Sequence, residues 1–236
     1  MNDRAASRRI AFFGGSFDPV HSGHIEIAKV LTKEFGLDVF VFVPAFHAPH
    51  KREFEPASPY HRFAMLALAT DGMADIGIST IELEDPESPY TIETMEKVKV
   101  KFPETEIFFV IGADSWMDIT TWRLWEDVLT STNIIVVTRP GVEIGFSHVT
   151  DEIRERIVDL RGKRNVGAAG PVSAHDSADE DPDDSDRSLS IYITDSVNAN
   201  VSATALRKSI RDDEDGWKKL VPESAARHIV KYGLYK

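Results

Sequence analysis

Short unbroken apolar runs alternate along this chain with longer stretches in which apolar residues recur every three or four positions. Residues 9–13, 39–43, 107–111 and 133–138 are of the first kind, rich in Val, Ile and Phe. They predict strands of a parallel sheet, because a strand covered on both faces needs no polar alternation. Residues 76–83 and 189–194 read as two more strands, which makes six. Residues 23–35 carry Ile27, Ala28, Leu31 and Phe35 on one helical face, with Gly36 as a stop. Ser58-Pro59 has the chemistry of a helix start, a hydroxyl cap followed by proline in the first turn, and leads into a helix over 62–70. Residues 91–102, 122–129, 150–160, 202–211 and 222–232 read as further helices, the last ended by Gly233. Residues 44–57 read as a loop. Residues 162–188 have no periodicity and read as a loop or insertion, disordered over 163–188.

Strands alternating with helices predict an α/β fold: a doubly wound, Rossmann-like parallel sheet with helices on both faces. At 236 residues the chain suits one such domain, over 9–236, behind a flexible N-terminus at 1–8. In this architecture ligands bind beyond the carboxyl ends of the strands, where the strand order reverses. The loops after Phe13, Val43, Ile111 and Thr194 are therefore the ones to read for chemistry.

Composition narrows the classes. With no cysteine, thiolate catalysis, disulfides and cysteine–zinc sites are excluded. The net charge of −12 is uneven: residues 173–188 hold seven acids and one arginine, and so half of it. An acidic chain without clustered Lys and Arg is not expected to bind nucleic acid. No apolar run approaches the ~20 residues of a membrane span, and the N-terminal apolar run is too short for a secretory leader. No membrane partner and a cytoplasmic location are the expectations, with assembly into a homo-oligomer left open.

The densest candidate chemistry follows the first strand, in the segment Gly14-Gly15-Ser16-Phe17-Asp18-Pro19-Val20-His21-Ser22-Gly23-His24. Two glycines let a backbone approach phosphate closely. His21 and His24, three apart at a helix start, can present both rings on one face beside free N–H groups. A polyphosphate is the natural guest. Near the C-terminus, Ser202 and Thr204 place hydroxyls at another helix start, and Arg207 offers a planar fork for phosphate oxygens. The five histidines outside these motifs, His47, His61, His148, His175 and His228, read as structural or surface residues.

The segment 14–24 resembles the first motif of the nucleotidyltransferase superfamily that activates small molecules with ATP. Its wording is most similar to the bacterial nicotinate-nucleotide adenylyltransferases, with Ser16 where that family usually has Thr. The resemblance continues in Ala48-Pro49-His50-Lys51, which is similar to the family's Pro-Pro-His-Lys/Arg loop with Ala48 in place of its first proline. It also covers Ser88-Pro89-Tyr90-Thr91-Ile92-Glu93-Thr94, Gly112-Ala113-Asp114 with Thr121-Trp122, and Ser202-Ala203-Thr204-Ala205-Leu206-Arg207.

The resemblance implies transfer of AMP from ATP to nicotinate mononucleotide, giving deamido-NAD and pyrophosphate, with Mg2+ arriving on ATP and no metal held by the protein. It implies that Gly14, Gly15, Ser16, Phe17, His21, His24, Asp114, Ser202, Thr204 and Arg207 bind ATP. Of these, His21, His24 and Arg207 would act in catalysis together with Lys51. Ser16, His50, Lys51, Thr91, Trp122 and Arg123 would bind the mononucleotide, Trp122 by stacking and Arg123 through its backbone N–H. Nicotinamide mononucleotide as the acceptor, alone or beside the acid, and a non-catalytic nucleotide sensor are the alternative readings.

Overall fold

The structure, a computed structural model, describes residues 7–46, 56–85, 87, 90–138, 143–162, 189–197 and 201–236. The expected insertion at 163–188 and the pair His50–Lys51 lie outside the described residues.

Among the described residues one sheet of seven parallel strands runs through the chain in the order β3-β2-β1-β4-β5-β7-β6. The strands are β1 Arg9–Gly15, β2 Val39–Pro44, β3 Ile76–Ile78, β4 Glu106–Gly112, β5 Asn133–Val137, β6 Ile157–Asp159 and β7 Ile191–Thr194. The helices are α1 Ser22–Glu34, α2 Pro59–Ala69, α3 Thr91–Lys101, α4 Ala113–Met117, α5 Trp125–Thr130, α6 Asp151–Glu155, α7 Ala203–Arg211 and α8 Glu223–Tyr232.

Strand alternation divides the apolar runs between two cores. Phe13, Phe40, Phe42, Phe108, Val110 and Ile135 face α1, α2, α7 and α8. Ile10, Phe12, Ile107, Phe109, Ile111 and Ile134 face the layer that contains α3, α5 and α6. With both faces covered, polar positions inside the strands have no place to go, which is why the runs are continuous.

Where β1 parts from β4 determines where a ligand fits. β1 stays paired with β2 as far as Gly15 opposite Pro44, but its pairing with β4 ends at Phe13 opposite Val110. β2 and β3 follow on one side of β1, and β4 onward on the other, so the strand order reverses here and a crevice opens.

Three expectations are corrected. The stretch 150–160 is not one helix: Thr150 caps a single short helix, and the chain then turns to edge strand β6, so the sheet has seven strands rather than six. The third strand stops at Ile78, and residues 81–84 form a turn. The helix expected at 122–129 begins at Trp125, because Leu124 takes a left-handed backbone at φ +50°. Of the expected N-terminal segment 1–8, residues 1–6 lie outside the described residues; the Ser7 hydroxyl donates to the Glu104 carbonyl at 2.8 Å and the Arg8 carbonyl accepts from the Glu106 N–H.

Candidate active site

The turn after β1 is shaped around Phe17. Its φ is +46°, a region bulky residues seldom adopt. Burial holds it there: the ring lies edge-on to those of Phe13, Phe42 and His24, with centroids 5.6, 5.2 and 5.0 Å away. A Cβ on Gly15 would sit 3.0 Å from the Phe17 ring, so glycine at 15 is what lets the chain fold back over it. The Asp18–Pro19 peptide is cis.

His21 then caps α1 with an extended backbone. Its N–H donates to Nδ1 of His24 at 3.2 Å. An accepting Nδ1 assigns the proton of a neutral His24 ring to Nε2. The two imidazoles stack, with centroids 3.6 Å apart and planes 20° from parallel.

Both histidines line a cavity of about 530 Å3 at the β1–β4 crevice, a size typical of small-molecule sites. One wall is the turn Gly14, Gly15, Ser16, Phe17 and Asp18 with the start of α1. A second is Gly112, Ala113, Asp114 and Ser115 at the end of β4. A third is Val201, Ser202, Ala203 and Thr204, where Ser202 caps α7 by accepting from the Ala205 N–H at 3.4 Å. Two helices of nine and thirteen residues thus begin on one cavity, and each presents the positive end of its dipole.

Beneath the turn lies a buried network that the sequence analysis did not single out. Asp18, 1% exposed, accepts at Oδ1 from the Ala57 N–H at 3.1 Å and from the Tyr235 hydroxyl at 2.7 Å. Burial and the Asp18 charge push the Tyr235 phenol well above its ordinary pKa, so it stays a donor. Arg207 is 2% exposed, with Nη1 donating to the Asp18 carbonyl at 2.5 Å and lying 3.7 Å from Asp18 Oδ2. Its Nη2 donates to Thr204 Oγ1 at 3.1 Å. The fork expected to face phosphate is therefore engaged with the turn and with the start of α7. It is not among the described residues lining the cavity.

Arg62 is 1% exposed and donates to four backbone carbonyls: Ser16 at 2.7 Å, Ala45 at 2.7 Å, Phe46 at 3.0 Å and Ala57 at 3.0 Å. Burial lowers its pKa, opposed mainly by Asp18. A signal for it existed: Arg62 occupies the same helical stripe as Met65, Leu66 and Ala69, where an apolar residue belongs.

The residues assigned to the mononucleotide fall into two groups. Ser16 lines the cavity. Thr91, Trp122 and Arg123 do not, but the fold brings Arg123 against Tyr90 and Glu93, on either side of Thr91 in the chain. Thr91 is the first residue of α3, whose cap is Tyr90, so Thr91 is not itself the cap. Arg123 Nη1 pairs with Glu93 Oε1 at 3.2 Å, and its guanidinium lies 4.6 Å from the centre of the Tyr90 ring. Trp122 is partly buried against the core beneath α3 and α5. Beside them Thr94 donates to Glu82 at 3.1 Å. Burial pushes the Glu82 carboxyl up to about 7, against the Thr94 hydrogen bond and the charges of Lys97 and Arg62.

Three histidines outside the motifs are tied into the packing. His61 Nδ1 and His228 Nε2 share a hydrogen bond of 3.0 Å between α2 and α8. His148 Nε2 is 3.0 Å from the Trp116 carbonyl. Among the described residues no three His, Asp or Glu side chains converge as a metal site, and no helix is long and apolar enough to cross a membrane.

A doubly wound sheet with a His-x-x-His helix start at its switch point is the architecture of a nucleotidyltransferase. The chain belongs to the cytidylyltransferase-like family, whose model matches residues 12–209. Among its relatives, a probable nicotinate-nucleotide adenylyltransferase of Thermoanaerobacter sp. is 34% identical, over 97% of this chain and 94% of that one. Another of the same name, from Desulfatibacillum aliphaticivorans, is 31% identical over 96% and 99%. In fold the chain is similar to the Plasmodium falciparum nicotinic acid mononucleotide adenylyltransferase complexed with NaAD. The TM-score is 0.69 at 17% identity, over 97% of each chain.

Proposed function

We propose that this protein is a nicotinate-nucleotide adenylyltransferase: it joins the AMP moiety of ATP to nicotinate mononucleotide, forming deamido-NAD and releasing pyrophosphate. The observation that carries the reading is the convergence of the stacked His21–His24 pair and the starts of α1 and α7 on one cavity. Kinship with relatives of that name supplies the acceptor.

In the mechanism, a phosphate oxygen of the mononucleotide attacks the α-phosphorus of ATP in line, and the bond to the bridging oxygen of pyrophosphate breaks. That nucleophile is already ionised at neutral pH, so the work is positioning and charge stabilisation. His24 donates from Nε2 to the α-phosphate, with its ring held by the His21 N–H at Nδ1. The starts of α1 and α7, with Ser202 and Thr204, take the β- and γ-phosphates. Arg207 sets that start through Thr204 and adds positive charge beneath it. Lys51 is assigned to the leaving pyrophosphate, and Asp114 to the adenosine half. ATP enters as its Mg2+ complex, the ion held by phosphate oxygens.

Ser16, His50 and Lys51 are assigned to the mononucleotide on the ATP side, and Thr91, Trp122 and the Arg123 N–H to the nicotinate ring. The direct test is to supply ATP and nicotinate mononucleotide and to follow pyrophosphate release and deamido-NAD together. Formation of both supports the reading, and formation of neither refutes it.

A further inference from the structure

Arg62 has no place in the chemistry above, yet it is among the most buried side chains in the protein and carries a full charge. One guanidinium there gathers three pieces of chain that are distant in sequence: the turn after β1 at Ser16, the end of β2 at Ala45 and Phe46, and the approach to α2 at Ala57. Asp18 holds the N–H of Ala57 while Arg62 holds its carbonyl, so the two peptide units that flank this residue are both anchored.

The bond to Ser16 bears on function. A trans peptide is planar, with its C=O and N–H pointing opposite ways. A Ser16 carbonyl fixed on Arg62 therefore turns the N–H of Phe17 away from Arg62, and Ser16 and Phe17 both line the cavity. Phe17 occupies a sparsely populated backbone region, and such residues keep it only where their surroundings over-determine it. Without Arg62 the peptide between Ser16 and Phe17 loses the anchor that sets its direction.

We propose that Arg62 is a positioning residue for adenylyl transfer: its fork fixes the Ser16–Phe17 peptide against β2 and α2 and thereby holds the phosphate-facing turn and His24 in register. This rests on the adenylyl-transfer reading. The fork is the essential property, not the charge, because a lysine offers its donors from one point and cannot span the three segments.

The test is steady-state kinetics of wild type, Arg62→Lys and Ile153→Ala, with melting curves for each. Ile153 is buried on the opposite face of the sheet, so its truncation supplies a destabilised control away from the site. Arg62→Lys is expected to lower kcat by ~10–100-fold, the penalty of a small misplacement of reacting groups, with KM for ATP little changed. Ile153→Ala is expected to melt earlier and keep its kcat. An Arg62→Lys enzyme with wild-type kcat overturns the inference, as does equal loss of kcat in Ile153→Ala or failure of Arg62→Lys to fold. No pyrophosphate from the wild type would overturn the adenylyl-transfer reading itself, and this inference with it.

Discussion

The N–H of His21 donates to Nδ1 of His24 at 3.2 Å, across rings stacked 3.6 Å apart. One histidine thus fixes the tautomer and the plane of the other. The helix start supplies the donor, since the N–H of the cap residue has no partner within the helix.

In the proposed mechanism this arrangement aims the His24 Nε2 donor at the α-phosphate. His24→Ala is expected to lower kcat by ~100-fold or more, the scale of losing one preorganised donor to developing charge. Turnover near wild type, in a variant whose circular dichroism shows it folded, would remove His24 from the mechanism.

The two glycines of the turn should respond differently. A Cβ at position 15 would press on the confined Phe17 ring, whereas one at 14 would meet the Phe109 ring at an ordinary 3.6 Å. Gly15→Ala is expected to cost ~1–3 kcal/mol, as overpacking does, and Gly14→Ala distinctly less. Denaturant unfolding of the two variants checks the order, and equal costs would contradict the packing described at Phe17.

Much of the fold was legible because buried parallel strands write themselves as unbroken apolar runs, as in 39–43 and 107–111. β6 was not, because a three-residue edge strand is indistinguishable from the end of a helix when Ile153, Ile157 and Leu160 keep helical spacing. α4 was missed because Gly112-Ala113-Asp114 reads as the end of a strand, and its five residues are too few for periodicity to register. At the site, the histidines and glycines announce themselves through local spacing. Arg62, Asp18 and Tyr235 meet from three distant segments, and only the folded chain shows that they support one turn.

Glu82 gives the stability a pH dependence of definite sign. Its carboxyl titrates near 7 in the folded protein against an ordinary 4.5, so folding favours the protonated form. Its contribution is fully present below about pH 4.5 and is lost as pH rises through 7, by up to about 3 kcal/mol. His228, whose pKa is lowered chiefly by burial, acts in the opposite direction on acidification, so the comparison must isolate Glu82. Glu82→Gln keeps an acceptor for Thr94 without the charge and should melt higher than wild type above neutral pH, by ~2–4 °C per kcal/mol recovered. Parallel melting curves of the two proteins across pH would contradict the burial of this carboxylate.

The choice of mononucleotide tests the account most directly. Nicotinate and nicotinamide mononucleotides differ by a ring carboxylate in place of a carboxamide. If Thr91 and the Arg123 N–H donate to the ring substituent as proposed, they favour the carboxylate, because charge-assisted hydrogen bonds are about twice as strong as neutral ones. An amide NH2 set against one donor costs a further ~1–3 kcal/mol. Thr91→Val should erode the preference, and Trp122→Ala should weaken both substrates alike. Side-by-side kcat/KM for the two mononucleotides with ATP decides the matter. The account predicts a preference for the acid of ~100-fold or more from these two terms together; equal efficiencies, or no pyrophosphate from either, would contradict it.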